Sequence, residues 1–337
     1  MLDGLSSLKE LYLVQSGIKE LSDFAFYGAP HLRRLFLSHN DLFDLEASAF
    51  IGLLKLEHLD LSSNRIGHLS GLTFPPMPHL QWLELKHNPI KVIFPHCFQY
   101  LNGTQHLTLG HKDQAVHLMK FSFRGLYSLM FLHIPNIDND ALVEHTFYDL
   151  RALMHLNLQG RIRMLADRAF NGAHRILQKL ILHDCKLIRI TEDSFYGLEN
   201  LITLDLSMNM LEHLPAYVFE PLKNVQELIL SQNKFVTLHG DIFLPLAHLK
   251  ALRLDANPWN CSCEMMSWKK ETLTRVPQVT SVPCANKENS PCTEFQVTFN
   301  EDESLLPRCE APANYQGKNV FEVLETHFDC DESSTEK

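Results

Sequence analysis

Nowhere in these 337 residues does an apolar run reach the ~18 residues that a membrane-crossing helix requires, and the opening stretch MLDGLSSLKELYL has no apolar signal-peptide core. The familiar catalytic signatures are missing too. There is no nucleotide-binding glycine loop, no Gly-x-Ser-x-Gly elbow, no His-Glu-x-x-His and no cysteine set at zinc spacing. His58, Asp60 and Ser62 fall close together, yet on a stretch that reads as an open strand with no pocket to exclude water. The expectation is a chain that is not an enzyme, with no catalytic residue, no metal and no cofactor, and with no direct membrane insertion in this fragment. Composition excludes disorder for all but the last few residues, a polar tail at 331–337.

What the chain has is a repeat. A motif built on Leu-x-x-Leu-x-Leu returns eleven times, its central leucine at Leu11, Leu35, Leu59, Leu83, Leu107, Leu132, Leu156, Leu180, Leu204, Leu228 and Leu252. The step is 24 residues throughout, apart from a single 25. A fixed period of about 20 to 29 residues marks a leucine-rich repeat solenoid. The expected fold class is therefore an α/β horseshoe with a concave parallel sheet of about 11 strands, the repeats filling 1–256. Around each Leu-x-Leu, alternate residues point to opposite faces, leucines inward and their neighbours outward. Three positions after the last strand leucine stand Asn40, Asn64, Asn88, Asn209, Asn233 and Asn257, with Cys185 in the same place in the eighth repeat. An amide there can donate to and accept from the backbone of the bend, and stacked copies form a ladder.

On the return limb a phenylalanine recurs at Phe26, Phe50, Phe74, Phe98, Phe123, Phe147, Phe170, Phe195, Phe219 and Phe243, which predicts an apolar spine on the convex side. Lys112, Ile137 and Arg161 replace the asparagine in the middle repeats, which predicts locally irregular bends between about residues 110 and 163, still inside one sheet. Aligning Leu8 on Leu56 puts Leu2 on Phe50 and Gly4 on Gly52. The expectation is a chain that starts mid-repeat, preceded in the native protein by further repeats, a cap and a signal peptide. Eleven strands at ~4.8 Å spacing make an arc of roughly 50 Å, enough to embrace a folded partner.

The formal net charge of −10 is uneven. Residues 257–337 hold 14 Asp and Glu against 7 Lys and Arg, so −7 sits in the last quarter. An acidic end argues against nucleic acid or an anionic membrane surface as partner and favours a basic protein patch. Six of the eight cysteines crowd between Cys261 and Cys330, as in a small disulfide-braced module made in an oxidising compartment. Cys97 and Cys185, about four repeats apart, are too distant to bridge and read as buried free thiols.

After the last repeat comes Asn257-Pro258-Trp259-Asn260-Cys261-Ser262-Cys263, then a short amphipathic stretch with Trp268, and later Cys309-Glu310-Ala311-Pro312 running on to Cys330. These two stretches resemble the C-terminal flanking cap of extracellular leucine-rich repeat proteins, the group of Toll-like receptors, Slit proteins and neuronal adhesion and matrix members. The resemblance implies a cap over 257–330 and bridges Cys261–Cys309 and Cys263–Cys330. Between them the chain departs from the family by an insertion at about 276–308 that carries Cys284 and Cys292. These two are paired with each other by elimination, though Cys284 also suits the family's third position in a shorter cap. The insertion, with Lys287, Glu288, Asn289 and Ser290 at its tip, reads as a projecting loop. The resemblance places the protein outside the cell, secreted or as the ectodomain of a membrane protein with adhesion or innate-immunity roles. Two glycosylation sequons fit that setting, at Asn102 and Asn260.

Outward positions of the strands form two columns. The first reads Glu10, Arg34, His58, Trp82, His106, Phe131, His155, Lys179, Thr203, Glu227, Ala251, and the second Tyr12, Phe36, Asp60, Glu84, Thr108, His133, Asn157, Ile181, Asp205, Ile229, Arg253. Aromatics on a strand face with no core to fill are what interface anchors look like. The candidate partner-binding residues are Tyr12, Phe36, His58, Trp82, His106, Phe131, His133 and His155, with Trp82 and Phe131 as the hot spot. The expected partner is a protein or pathogen-derived ligand held on the concave face, with oligomeric state left open. The other reading is a soluble secreted matrix or carrier protein with a structural or sequestering role. Imidazoles on one face also predict a gain of charge near pH ~6.

Overall fold

The computed structural model describes residues 5–71, 73–262, 265, 280–281, 297–298 and 306–326. Among them, successive turns each give one strand to a single parallel sheet: Glu10–Tyr12, Arg34–Phe36, His58–Asp60, Trp82–Glu84, His106–Thr108, Phe131–Leu142, His155–Leu165, Lys179–Ile181, Thr203–Asp205, Glu227–Ile229 and Ala251–Arg253. Most of these strands are three residues long and bury a single leucine, too little for one turn to exclude water alone. Stacking solves this, because each turn closes the core of the next. The central leucines lie in register, Leu59 opposite Leu83, Leu83 opposite Leu107 and so on to Leu252, and Leu35, Leu59 and Leu83 are fully buried.

The asparagines do what an amide at a tight bend can do. Asn64 donates through Nδ2 to the carbonyls of Leu37 (3.0 Å) and Leu61 (3.0 Å), and its Oδ1 accepts from the Leu42 amide. Asn40, Asn88, Asn209, Asn233 and Asn257 repeat the arrangement, each bridging its own turn and the one before. The residue before each is left-handed, for example His39 at φ 57° and Met208 at φ 56°, so the ladder offsets a backbone strain repeated along the coil. Cys185 imitates the amide with its thiol, which donates to the Leu158 carbonyl at 3.1 Å. Cys97 and Cys185 are both buried and free, and burial pushes both thiols up.

On the other side, nine phenylalanine rings from Phe26 to Phe219 stack at centroid spacings of 5.9 to 6.5 Å. The spine passes the 23-residue step from Phe147 to Phe170 and the 25-residue step from Phe170 to Phe195 without a break.

The middle turns differ from the irregular bends expected of them. Where Ile137 and Arg161 replace asparagine, the chain stays extended through the corner, and strands Phe131–Leu142 and His155–Leu165 pair along their length with one register shift between Leu158 and Gly160. The reason is a matter of donors: without an amide to satisfy the bend, the backbone pairs with the neighbouring turn instead. Arg161 then points to solvent and binds Asp138 and Asp140, while Ile162 fills the core. The one 25-residue step is localised by pairing. Leu83 meets Leu107 after 24 residues but Val92 meets His117 after 25, so the extra residue lies between Leu107 and His117, where a tight turn joins His111 to Gln114.

At the C-terminal end Trp259 is fully buried, stacks on Phe235 at 6.3 Å and donates its indole N–H to the Leu254 carbonyl. Trp259–Asn260 pairs with Cys309–Ala311, the bridge Cys261–Cys309 joins the two strands, and the helix Val320–Thr326 buries Val320 and Val323 beside them. Cys263, Cys284, Cys292 and Cys330, with the bridges assigned to them, and the tail 331–337 lie outside the described residues. Within the insertion, Thr280–Ser281 pairs antiparallel with Val297–Thr298.

Two substitutions test this account. Asn64→Ala strands two carbonyls and an amide and is expected to cost about 3 kcal/mol in urea unfolding. Gly160 sits at φ 118°, where an added Cβ would lie 2.4 Å from the Ile137 nitrogen. Gly160→Ala is therefore expected to cost at least about 2 kcal/mol, whereas Gly67→Ala, with nothing within 4 Å, leaves stability nearly unchanged. Equal midpoints for the two glycine variants would refute the strand-through-the-corner geometry.

Candidate concave binding face

Parallel register turns the outward positions of the repeat into real columns. Glu10, Arg34, His58, Trp82, His106, Phe131, His155 and Lys179 stand on successive strands as direct neighbours, and Tyr12, Phe36, Asp60, Glu84, Thr108, His133 and Asn157 form the second line. At a strand pitch of ~4.8 Å, rings in such a column can stack on one another.

They do. Tyr12 lies on Phe36 (4.6 Å between centroids), Phe36 on His58 (5.0 Å), His58 on Trp82 (6.4 Å), Trp82 on His106 (3.7 Å) and His106 on Phe131 (6.2 Å). His155 then meets Phe131 edge-on at 4.8 Å. Seven of the eight residues singled out from sequence thus form one ladder, which starts in the second column and crosses to the first at Phe36 and His58. Tyr12, Trp82 and Phe131 remain 61%, 43% and 41% exposed. His133 is the exception. It is exposed in the second column and stands beside the ladder with no stacking partner among the described rings.

Stacking has a geometric consequence. Trp82 and His106 stack on neighbours at both faces, so what they present outward is their edges. An edge is the positive rim of the ring's quadrupole and attracts carbonyls, carboxylates and the faces of other aromatics.

Residues missed by the reading of single columns surround the ladder. Glu84 lies 3.3 Å from His58 Nε2 and 3.5 Å from Lys86, contacts that hold its carboxyl below the usual range despite partial burial. The diagonal offset between neighbouring strands, two residues on from the Trp82 opposite His58, is the signal that could have found it. Thr108 Oγ1, on one side of His133, is buried without a hydrogen-bond partner among the described residues, and on the other side Asn157 reaches the His133 ring. Beyond His155 the face turns polar: Thr203 donates to Glu227 at 3.3 Å, and Arg253 meets Asp255 at 3.2 Å.

Loss of hydration lowers the imidazole pKa of His106, His133 and His155, with Lys179 adding to the effect at His155. His133 keeps its solvent-facing surface, yet it lies in the crowded hollow of the sheet where water is restricted. Charging near pH ~6, as sequence alone implies, is therefore delayed to lower pH for these three. Among the described residues no group of three or more His, Cys, Asp or Glu is placed to hold a metal ion. A concavity of about 770 Å³ lies elsewhere, among His174, Tyr196, Tyr217 and Glu220, away from the ladder.

Against known proteins, a family model described as Leucine rich repeat matches residues 6–66, 55–114, 175–235 and 211–258. The unmatched stretch 115–174 is the one in which strands replace asparagine bends. The insulin-like growth factor-binding protein complex acid labile subunit of Rattus norvegicus is 34% identical over 80 residues, 23% of this chain and 12% of that protein. CD180 antigen of Homo sapiens is 26% identical over 188 residues, 53% of this chain and 28% of that protein. Among solved structures, the TLR13–ssRNA13 complex aligns with a TM-score of 0.64 at 25% identity over 80% of this chain and 44% of its own. The glycosylated Toll–Spatzle complex of Drosophila aligns at 0.65 and 20% identity, over 77% and 35%, a likeness of fold alone. The chain spans less than a third of these curated relatives and less than half of these solved chains.

The lowered imidazoles fix the sign of a pH effect. The folded chain refuses protons that the unfolded chain takes up below pH ~6.5, so their contribution is full above that value and is lost as pH falls from it through the lower folded values. Glu227, whose carboxyl burial raises, acts oppositely but in the carboxylate range. Tm is expected to fall from pH 7.5 to 5.5, and the triple variant His106→Gln, His133→Gln, His155→Gln to flatten the slope. An unchanged slope in the triple variant would contradict the assignment.

Proposed function

The chain belongs to the leucine rich repeat family and resembles Toll-type ectodomains, and from that premise we propose that it is an extracellular binding module, not an enzyme, whose concave ring ladder grips a protein partner. The observation that carries the proposal is the unbroken row from Tyr12 to His155 on an open sheet face. Rings buried among one another in a core serve packing. A row with Tyr12, Trp82 and Phe131 each more than 40% exposed holds a contiguous apolar strip in water, the kind of surface that marks an interaction site.

Protein rather than nucleic acid is supported by charge. Over the two columns Glu10, Asp60, Glu84, Asp205 and Glu227 outnumber Arg34, Lys179 and Arg253, and the whole chain stands at −10. A polyanion gains little from such a face at neutral pH, where desolvation holds His106, His133 and His155 uncharged. TLR13 is solved with ssRNA, so RNA belongs in the test as a competitor. An extracellular setting, secreted or tethered by segments outside this chain, is supported by the Cys261–Cys309 bridge and by the kind of relatives. No helix among the described residues is long and apolar enough to cross a membrane.

Capture from secreted and cell-surface protein fractions, compared between wild type and the Trp82→Ala and Phe131→Ala variants, tests the proposal. A partner retained by wild type is expected to lose at least about 2 kcal/mol of affinity, roughly 30-fold, in either variant, with Tm held within a few degrees. Equal capture by all three proteins, or capture displaced by single-stranded RNA, would defeat it.

A further inference from the structure

We propose that Asn102 carries an N-linked glycan and that the ring of Tyr127 is the seat of its first sugar, an N-acetylglucosamine. The inference needs only passage through the secretory pathway and is independent of what the concave face binds.

The first observation is an anomaly in the core. Ten turns place an aliphatic residue at the start of the repeat motif: Leu8, Leu32, Leu56, Leu80, Leu129, Leu153, Leu177, Leu201, Val225 and Leu249. The remaining turn places Thr104 there. Thr104 is fully buried, and its hydroxyl is accommodated by donating to the Leu80 carbonyl at 3.1 Å. A threonine fills a leucine site poorly and brings a polar group that must be satisfied. Packing gives no reason for the exchange, whereas an Asn-x-Thr acceptor requires that hydroxyl. Because the fold buries it, the sequon must be read before the turn closes. Gly103 completes the constraint: an added Cβ would lie 2.9 Å from the Pro78 carbonyl oxygen, so the chain is pressed inward here and Asn102 is turned out. Asn102 is exposed, and its side-chain amide makes no hydrogen bond among the described residues.

The second observation is what stands next to it. Counting through the 25-residue step, Asn102, Tyr127 and Arg151 occupy one position on three successive turns, a line fixed by the fully buried Leu101, Leu126 and Leu150 just before them. Ser128 Oγ donates to the Asn102 carbonyl at 2.8 Å and ties the two turns together. The Arg151 guanidinium covers one side of the Tyr127 ring, 5.0 Å from its centroid, and is itself held by Asp149 at 3.4 Å. Asn102 belongs to the turn on the other side of Tyr127 from Arg151, and the tie from Ser128 keeps that turn close. A pyranose presents an apolar C–H face that packs on an aromatic face, so a sugar on Asn102 would complete a sandwich with Tyr127 in the middle. The other sequon lacks this arrangement, since Asn260 is half-buried in a paired strand beside the Cys261–Cys309 bridge.

The test expresses the full chain behind a secretory leader in mammalian cells and reads Asn102 by glycopeptide mass spectrometry. The purified protein is then either trimmed to one N-acetylglucosamine by an endoglycosidase or stripped completely by an amidase, with Asn102→Gln from the same cells as the sugar-free reference. Occupancy at Asn102 is expected. Trimming to one sugar is expected to leave Tm unchanged, and loss of that sugar to lower it by about 2 °C. In Tyr127→Ser occupancy persists while the Tm difference disappears. Thr104→Ser keeps the modification, and Thr104→Leu abolishes it while matching or exceeding the Tm of sugar-free wild type. An unmodified Asn102 peptide from the folded, secreted protein overturns the site. A Tm loss of equal size in wild type and Tyr127→Ser, or none in either, overturns the seat.

Discussion

The whole molecule depends on register between neighbouring turns. A turn of about two dozen residues cannot bury enough apolar surface to offset the entropy of ordering it, so each exists only as the neighbour of another. Backbone pairing and the asparagine amides join turns at the same point of the repeat, and this makes the position of every side chain along the coil predictable from one of them. A slip of one residue would exchange inside and outside for a whole strand. The single extra residue is accordingly kept out of the sheet, in the tight turn between His111 and Gln114.

That same register builds two rows of rings with opposite fates. Phenylalanines on the return limb stack with no exposure and serve as mortar. Tyr12, Phe36, His58, Trp82, His106, Phe131 and His155 stack at similar spacing on the concave side and stay partly in water. Ring stacking itself explains neither row, because the repeat would align any residues placed at those positions. What distinguishes them is exposure: among the described residues Tyr12, Trp82 and Phe131 of the second row keep more than 40% of their surface in water.

Most of this architecture was legible in the sequence because its causes are local and periodic. Leu-x-Leu, the asparagine and the phenylalanine each recur at fixed phase, and period alone assigns them to strand, bend and spine. The two concave columns were legible for the same reason. Less legible was the route of the chain past Ile137 and Arg161. Absence of the amide foretold a departure, but whether the bend loosens or the strand runs on depends on hydrogen bonds to the adjoining turn, which no single repeat reveals. The Glu84–His58 contact escaped for a related reason, being diagonal between columns. His133 was grouped with the rings by residue type, and the structure separates it, since a second-column position meets Thr108 and Asn157 rather than a ring.

Coupling within the ladder shapes how the face can work. Since Trp82 stacks on both His58 and His106, truncating it uncovers both as well as removing the indole. Effects of substitutions in adjacent rungs should therefore be non-additive, whereas those of rings separated by several rungs should add. The imidazoles enter the same network. A neutral ring stacks on indole as one more flat surface, and a protonated one does so as a cation over a π face, which favours the contact while drawing water toward it. Partial desolvation keeps His106 and His155 in the first state at neutral pH. The ladder at that pH is thus a continuous, weakly polar ribbon, with Glu10 and Arg34 at one end and Lys179 at the other. In the proposed role, such a surface would select a partner by the length and straightness of the apolar strip it offers, because no single rung is deep enough to hold one alone.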